Sequence, residues 1–467
     1  MSNVVASVVA FLAAQGGVAV GAETPAVVAP VEVVPVDVVP VEVVPVDVVP
    51  VDVVPVDVVP VDVVPVQPVA AVAFEATWMN GQSRQKSFPL GNFNGVVTPS
   101  LYLDASYGFS MNQPRDNTLT GSGTIGRHNE IGINLASVGI DWNVANVIGR
   151  LSLQFGSQLA MVQEGDGSVA RGRNLTTDAL EHLREAAIGY HFNVLKGINV
   201  EAGLFSSFVG LESYLLAENW SYNRALVSEF TPYYFTGIRA QLFITEALKI
   251  EPWLLNGYQT YGKFNDAPAL GLSARWVPVE WLAVIANGYV GTDTRGEPER
   301  VRWHHDHSIN LRLYNDPDSA VFSRLAVSMN NHIGTETGGT AAPFDVNHFI
   351  GTAVAARAWT AWDHVAVTGR FEWVQQPGGY SLQLPPPGFV AGDNFSILGV
   401  TGGVEIMPTD FFSIRPEVVY RSASQPFFAG RGGTTSADGF SDSVDTDFVA
   451  DVVTDQVLFT VAANFRL

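Results

Sequence analysis

Trp303-His304-His305-Asp306-His307 is the densest histidine cluster in a chain that has 9 histidines and no cysteine. A metal ion needs donors that converge, and successive residues of an extended strand point to opposite faces. His305 and His307 share a face there and would need one more donor, so the expectation is a solvated strand start and no metal centre. The absence of cysteine removes thiolate ligands, disulfides and a Cys nucleophile. No G-x-S-x-G, H-E-x-x-H or P-loop spacing occurs, so neither a catalytic residue nor a cofactor site is expected, and an enzyme is not.

The chemistry that remains is charge. Arg150, Arg239, Arg275, Arg312, Arg324, Arg370 and Arg415 recur one by one in segments that are otherwise half apolar. Residues 206–234 carry four ionic groups, Glu212, Glu218, Arg224 and Glu229, among aromatics. If those acids faced arginines across a narrow aqueous passage, the transverse field would orient polar solutes and sort ions by charge.

Such an arrangement needs a wall that is polar on one side only, and the segments around these arginines have that pattern. In 98–112, Leu101, Leu103, Ala105, Tyr107, Phe109 and Met111 alternate with Tyr102, Asp104, Ser106, Gly108, Ser110 and Asn112. This is period two, the signature of a strand with unlike faces. It returns in Leu151, Leu153 and Phe155, in Ile309, Leu311 and Leu313, and in Val365, Val367, Phe371 and Trp373. Candidate strands fall at 98–112, 129–142, 147–157, 183–192, 197–205, 235–243, 247–257, 268–276, 280–291, 305–314, 322–331, 348–358, 363–374, 396–406, 411–421 and 455–467. Short links follow the even-numbered strands and long ones the odd-numbered. An even strand count with alternating short turns and long loops predicts an all-β fold, a transmembrane antiparallel up-and-down β-barrel of about 16 strands, with both termini at the short-turn, periplasmic end. Tyr107, Tyr190, Trp276, Trp373 and Tyr420 are candidates for its interfacial girdles.

Four details strain this reading. The apolar parity switches between Leu135 and Ala136, which calls for a bulge. Pro252 and Pro416 interrupt strands that, in a closed barrel, have no free edge. The segment 348–358 is mostly Ala and Gly around Arg357 and shows little contrast between faces. The last strand ends on Leu467 with Phe465 two residues earlier, where an aromatic terminus is usual.

Composition agrees with a barrel. Charged residues are 15% and aromatics 11% of 467 residues, Gly numbers 44, and mean hydropathy is barely positive. After residue 22 no uncharged apolar run approaches the length of about 20 residues that a spanning helix needs. The net charge of −21 argues against nucleic acid. Eight of the 46 acids lie between Glu23 and Asp62, while all 25 Lys and Arg lie at or after Arg84, so tail and body are both acidic.

The first 22 residues, apolar from Val4 to Ala14 and ending in Val20-Gly21-Ala22, read as a signal peptide. Residues 23–69 hold a V-P-V-[D/E]-V repeat with proline every fifth position from Pro30 to Pro65. That spacing forbids a continuous helix and predicts an extended Pro/Val-rich rod, read as a periplasmic spacer. Residues 70–97 then form a linker into the barrel at 98–467.

The segment 203–239 carries Gly203, Gly210 with Glu212, Asn219, Tyr222 and Arg224, then Pro232, Gly237 and Arg239, and DASY at 104–107 and NGY at 256–258 accompany it. In these residues the chain resembles the OmpL-like outer-membrane β-barrel porins of Gram-negative bacteria, over most of 98–467. The resemblance implies an outer-membrane pore of broad selectivity, passing small hydrophilic solutes and ions, with lipid around it. By analogy with sixteen-stranded porins, the third long connection folds inward to narrow the lumen and the protein forms a homotrimer. The Val-Pro rod lies outside the resemblance. A structural protein that tethers peptidoglycan or a periplasmic protein through residues 30–65 is therefore the alternative.

Overall fold

The computed structural model describes residues 88–89, 95–164, 166, 180–294, 296–339, 346–362, 364–375, 380, 395–436 and 448–467. The signal segment and the pentapeptide repeat lie outside the described residues.

Sixteen antiparallel strands form one closed barrel. They are β1 (Gly95–Ser110), β2 (Ile131–Val144), β3 (Val147–Phe155), β4 (Leu183–Phe192), β5 (Ile198–Ser206) and β6 (Tyr234–Phe243). Next come β7 (Leu248–Leu255), β8 (Ala269–Val279), β9 (Leu282–Gly291), β10 (Val301–Asn315) and β11 (Phe322–Thr337). The wall ends with β12 (Val346–Thr360), β13 (Val365–Gln375), β14 (Ser396–Thr409), β15 (Phe412–Ala423) and β16 (Asp455–Arg466). Each pairs with the next, and β16 pairs with β1 from Arg466↔Tyr102 to Leu458↔Ser110, which closes the ring. Leu467 completes the seam by exchanging backbone hydrogen bonds with Leu101, at 3.0 and 2.8 Å. Every strand expected from the alternation is present. The first starts at Gly95 rather than at 98, and β10 to β12 are several residues longer than expected.

Closure follows from the two unlike faces. Leu101, Val138, Ile140, Leu151, Val367, Val400, Val418, Phe459 and Val461 point outward and are exposed, a surface that only a hydrocarbon surrounding stabilises. Their neighbours Ser137, Ser152, Thr368, Thr401, Glu417 and Thr460 point inward and are buried. Among the described residues no helix is long and apolar enough to cross a membrane. One end of the barrel carries the short turns; β2 and β3 are joined there by Ala145 and Asn146 alone, both at positive φ as a two-residue hairpin turn requires. The long connections share the other end. Val418→Arg, which places a cation on the lipid face, is expected to lower folding stability in lipid vesicles by about 2–4 kcal/mol, measured by denaturant titration.

The irregularities have local causes. The parity switch is a bulge: Asp104 pairs with Leu135 and Ala105 with Ile133, so Asn134 is the extra residue, and both Asn134 and Leu135 end up inside. Each proline sits where the ladder to one neighbour is interrupted. The β6–β7 pairs jump from Arg239↔Trp253 to Leu242↔Ile250 around Pro252, and the β14–β15 pairs jump from Gly403↔Glu417 to Ile406↔Ile414 around Pro416. A missing N–H costs nothing where no partner waits for it. The small inward residues of β12 make room: a Cβ on Gly351 would lie 2.5 Å from Val227, which belongs to the third long connection.

Candidate functional site

The third long connection, 207–233, begins and ends at the loop end, where the Ser207 N–H bonds the Tyr233 carbonyl at 3.0 Å. Between those points it runs down the inside of the barrel, along the wall opposite its own root. Its tip, Trp220, packs among Ala326, Ala355, Trp359, Ala366 and Met407, and its ring meets Trp359 edge-on at 6.0 Å. Trp359, Ala366 and Met407 lie within three residues of the ends of their strands at the short-turn end, so the segment descends most of the barrel's height.

This segment has almost no regular structure beyond a 3-10 turn at Leu216–Glu218 and a short helix, α1 (Leu226–Glu229). Its buried backbone polar groups therefore need partners from elsewhere. The wall supplies charged ones. Arg415 donates to the carbonyls of Leu216 and Asn219 at 2.7 and 2.5 Å, and Arg357 to that of Trp220 at 3.0 Å. Arg370 donates to Asn223 and Arg224, at 2.7 and 3.2 Å, and Arg421 also reaches Arg224, at 3.0 Å. The acids serve the amides. Glu417 accepts from the N–H groups of Tyr222 and Asn223 at 2.8 and 2.9 Å, and Glu372 accepts from Leu226 at 2.9 Å. Charge-assisted bonds of this kind are the strong ones, and here they pin irregular chain to β12, β13 and β15. On β1, Asp104 accepts from the Tyr222 hydroxyl at 2.9 Å. Burial first, then Asp104, pushes that hydroxyl well above the usual tyrosine range, which keeps it a donor.

The four ionic residues of this connection occupy different surroundings. Glu212 accepts from the Ala225 N–H at 2.6 Å and meets Arg370 at 3.2 Å. Desolvation raises its pKa, against the lowering effect of Arg370, the Ala225 amide and Arg224. Glu218 is more open and pairs with Arg466 at 3.5 Å. Arg224 is buried, lies 4.6 Å over the Tyr233 ring, and has Nε and Nη1 without hydrogen-bond partners. Glu229 turns toward the first long connection, where it accepts from Ser122, Gly123 and Thr124 at 2.8–3.0 Å and from Tyr233 at 2.6 Å.

The wall arginines divide in two. Arg370 and Arg415 hold the inner segment, with side chains only 1% and 2% exposed, and so do Arg357 and Arg421, which with Glu372 and Glu417 are not among the lumen candidates expected from sequence. The opposite wall is more open. Arg150 is 29% exposed and lies 3.4 Å from Glu185, 3.7 Å from Glu201 and 4.0 Å from Asp141, itself 45% exposed. Arg239 pairs with Glu201 at 2.8 Å and covers the Phe205 ring. Arg275 is half-buried on β8. Arg312 meets Glu280 at 3.2 Å near the short turns, and Arg324 lies over Trp359 at 5.2 Å.

The histidine cluster differs from expectation. β10 starts at Val301, four residues earlier than the alternation indicates, and His305 and His307 lie on its outer side with rings 5.6 Å apart. His304 and Asp306 are the inward, buried pair, and His332 of β11 joins them.

The profile of the family described as "Putative beta-barrel porin-2, OmpL-like" matches residues 96–467. Among solved structures, the outer-membrane-expressed OmpT of Vibrio cholerae aligns at 13% identity over 81% of this chain and 99% of its own, with a TM-score of 0.49. The outer membrane channel DcaP of Acinetobacter baumannii aligns at 11% identity over 81% and 99%, with a TM-score of 0.48. An anion-selective porin from Comamonas acidovorans aligns at 9% identity over 80% and 100%, also at 0.48. No curated protein matches the chain.

Proposed function

The chain belongs to the OmpL-like beta-barrel porin-2 family and is an outer-membrane channel; from that premise we propose that small hydrophilic solutes and ions diffuse passively along one half of its lumen. The observation that carries the proposal is the asymmetry of the inner wall. Inward arginines of β12, β13 and β15 are 1–2% exposed because the segment 207–233 lies on them, while Arg150 on β3 and Asp141 on β2 are 29% and 45% exposed. The inner segment thus acts as a constriction that fills one side of the lumen and leaves a charged strip on the other. Of its ionic residues, Glu218 is the one exposed enough to face a passing solute, and Arg150 and Asp141 are the open charges of the facing wall, backed by the more buried Glu185, Glu201 and Arg239.

Mixed signs along the strip favour polar over apolar solutes and only mild ion preference. Arg150→Glu replaces a positive by a negative charge in its open part, a change of two units. The reversal potential in a salt gradient is expected to move toward cation selectivity, and to move less at high ionic strength as screening shortens the field. Liposome swelling with neutral sugars of increasing size tests the passage itself; vesicles holding folded protein that swell no faster than protein-free ones would contradict it.

The same proposal places both barrel termini in the periplasm, takes residues 1–22 as the export signal, and gives the acidic Val-Pro repeat the role of a periplasmic spacer.

A further inference from the structure

We propose that His304, Asp306 and His332 form a binding site for one divalent transition-metal ion of the zinc class on the inner wall. The three residues project inward from neighbouring strands, with Asp306 directly opposite His332 in the β10–β11 register. All three are buried, at 3%, 0% and 2% exposure, and their donor atoms lie within 4.8 Å of one another.

The hydrogen bonds around the histidines orient the donors. His332 Nε2 lies 2.9 Å from the Asn330 side-chain oxygen, while the Asn330 amide nitrogen donates to Ser308 at 2.9 Å. Nε2 must then carry the proton of His332, which leaves Nδ1 as a bare lone pair. His304 Nδ1 lies 2.8 Å from the Tyr380 hydroxyl and 3.3 Å from that of Tyr258, either of which can donate to it. Nδ1 thus has a hydroxyl partner in either tautomer, and Nε2 is the atom turned to His332. His304 Nε2 and His332 Nδ1 face each other at 3.0 Å, and without an ion His304 donates through Nε2 to the His332 lone pair. A cation between them takes both lone pairs if the His304 proton moves to Nδ1, where the Tyr380 hydroxyl accepts it and turns its own hydrogen to the Trp303 carbonyl at 3.1 Å. In a tetrahedral zinc site with bonds of roughly 2.0–2.1 Å two nitrogens sit about 3.3 Å apart, so a few tenths of an ångström of movement suffices.

Charge points the same way. Asp306 accepts from the Gly210 N–H at 3.1 Å and the Asn287 amide at 2.8 Å, and among the described residues it forms no ion pair. The nearby Arg302 is already matched by Asp293 and Glu336, each at 3.3 Å. A buried carboxylate without a counter-charge is costly, and each of its oxygens retains a lone pair for a ligand. Two imidazole nitrogens and one carboxylate oxygen, each held by an outer hydrogen bond, make the donor set that divalent zinc-class ions take, with a fourth position left for water. Because Asp306 also holds Gly210, at the start of the inner segment, the ion would brace that segment against β10.

The test is calorimetric titration of the folded, chelator-treated barrel in detergent with Zn²⁺, and with Co²⁺ for its visible spectrum. One saturable site with a four-coordinate cobalt spectrum is expected. His332→Ala and Asp306→Asn should each weaken it by at least about tenfold, a loss that even an outer-shell partner can produce. The double variant His305→Ala, His307→Ala should bind as the parent does, and heat-shifted gel mobility checks that each variant is folded. Absence of saturable binding by the parent would overturn the proposal and leave His304 donating to His332 through Nε2. So would binding that survives loss of His332 and disappears with His305 and His307.

Discussion

Excision of residues 213–230, with the ends rejoined by a short Gly-Ser link, should raise single-channel conductance by a factor of about two or more, since the narrowest element of a pore governs its current. The deleted stretch fills the space in front of β12 to β16 down to Trp220 at the short-turn end. Its removal returns Arg357, Arg370, Arg415, Arg421, Glu372 and Glu417 to water, where these charges need no protein partner. The barrel itself should survive, because its ladder is continuous from β1 through β16 and does not run through this segment. Planar-bilayer recordings of the two proteins side by side give the comparison. Equal conductance would mean that the segment lies outside the conducting path.

A single carboxylate should matter nearly as much to the seating of that segment. Glu372 accepts from the Leu226 N–H and from Arg421, both at 2.9 Å, and lies 3.4 Å from Arg370. Glu372→Ala leaves the buried Arg421 guanidinium without its carboxylate, takes from Arg370 one of two, Glu212 remaining, and orphans one helix-start amide. Removing one partner from a buried pair typically costs about 3–5 kcal/mol. Much of that loss is expected to appear as release of 207–233 from the wall and not as unfolding of the barrel, so limited proteolysis should cut within this segment and open-channel noise should rise. Glu372→Gln keeps an acceptor for Leu226 and should fall between the parent and Glu372→Ala. Unchanged proteolysis and noise in Glu372→Ala would show that the wall charges do not hold the segment.

Much of the barrel is legible in the sequence because each strand face carries one kind of residue, and a shift of one position would put Leu101 inside and Asp104 in lipid. Even the bulge shows as two apolar runs out of phase at Leu135 and Ala136. The prolines were harder. Whether Pro252 and Pro416 are tolerated depends on gaps in the ladder to one neighbour, which no single-strand pattern records. What the inner wall charges do is also a property of three dimensions. Arginines on polar faces read alike along the chain, yet Arg370 and Arg415 bind backbone carbonyls whereas Arg150 stands partly open. A signal did exist: Arg370 with Glu372 and Arg415 with Glu417 are opposite charges two residues apart on one face, a pairing suited to amides and carbonyls together. The histidine cluster could have been read correctly too. Extending the outward run of Ile309, Leu311 and Leu313 backward by twos puts His307 and His305 on the lipid side and Asp306 and His304 inside.

The chain has no cysteine of its own, so a single introduced thiol can report which half of the lumen conducts. Asp141→Cys lies on the open strip, and Thr401→Cys lies beneath the inner segment, where Thr401 is 2% exposed and bonded to Arg370 at 3.2 Å. With a bulky, membrane-impermeant thiol reagent added during a planar-bilayer recording, current through Asp141→Cys should fall stepwise while current through Thr401→Cys stays unchanged. Block of Thr401→Cys with Asp141→Cys unaffected would contradict the proposed path, and folded protein that never opens in the bilayer would contradict conduction altogether.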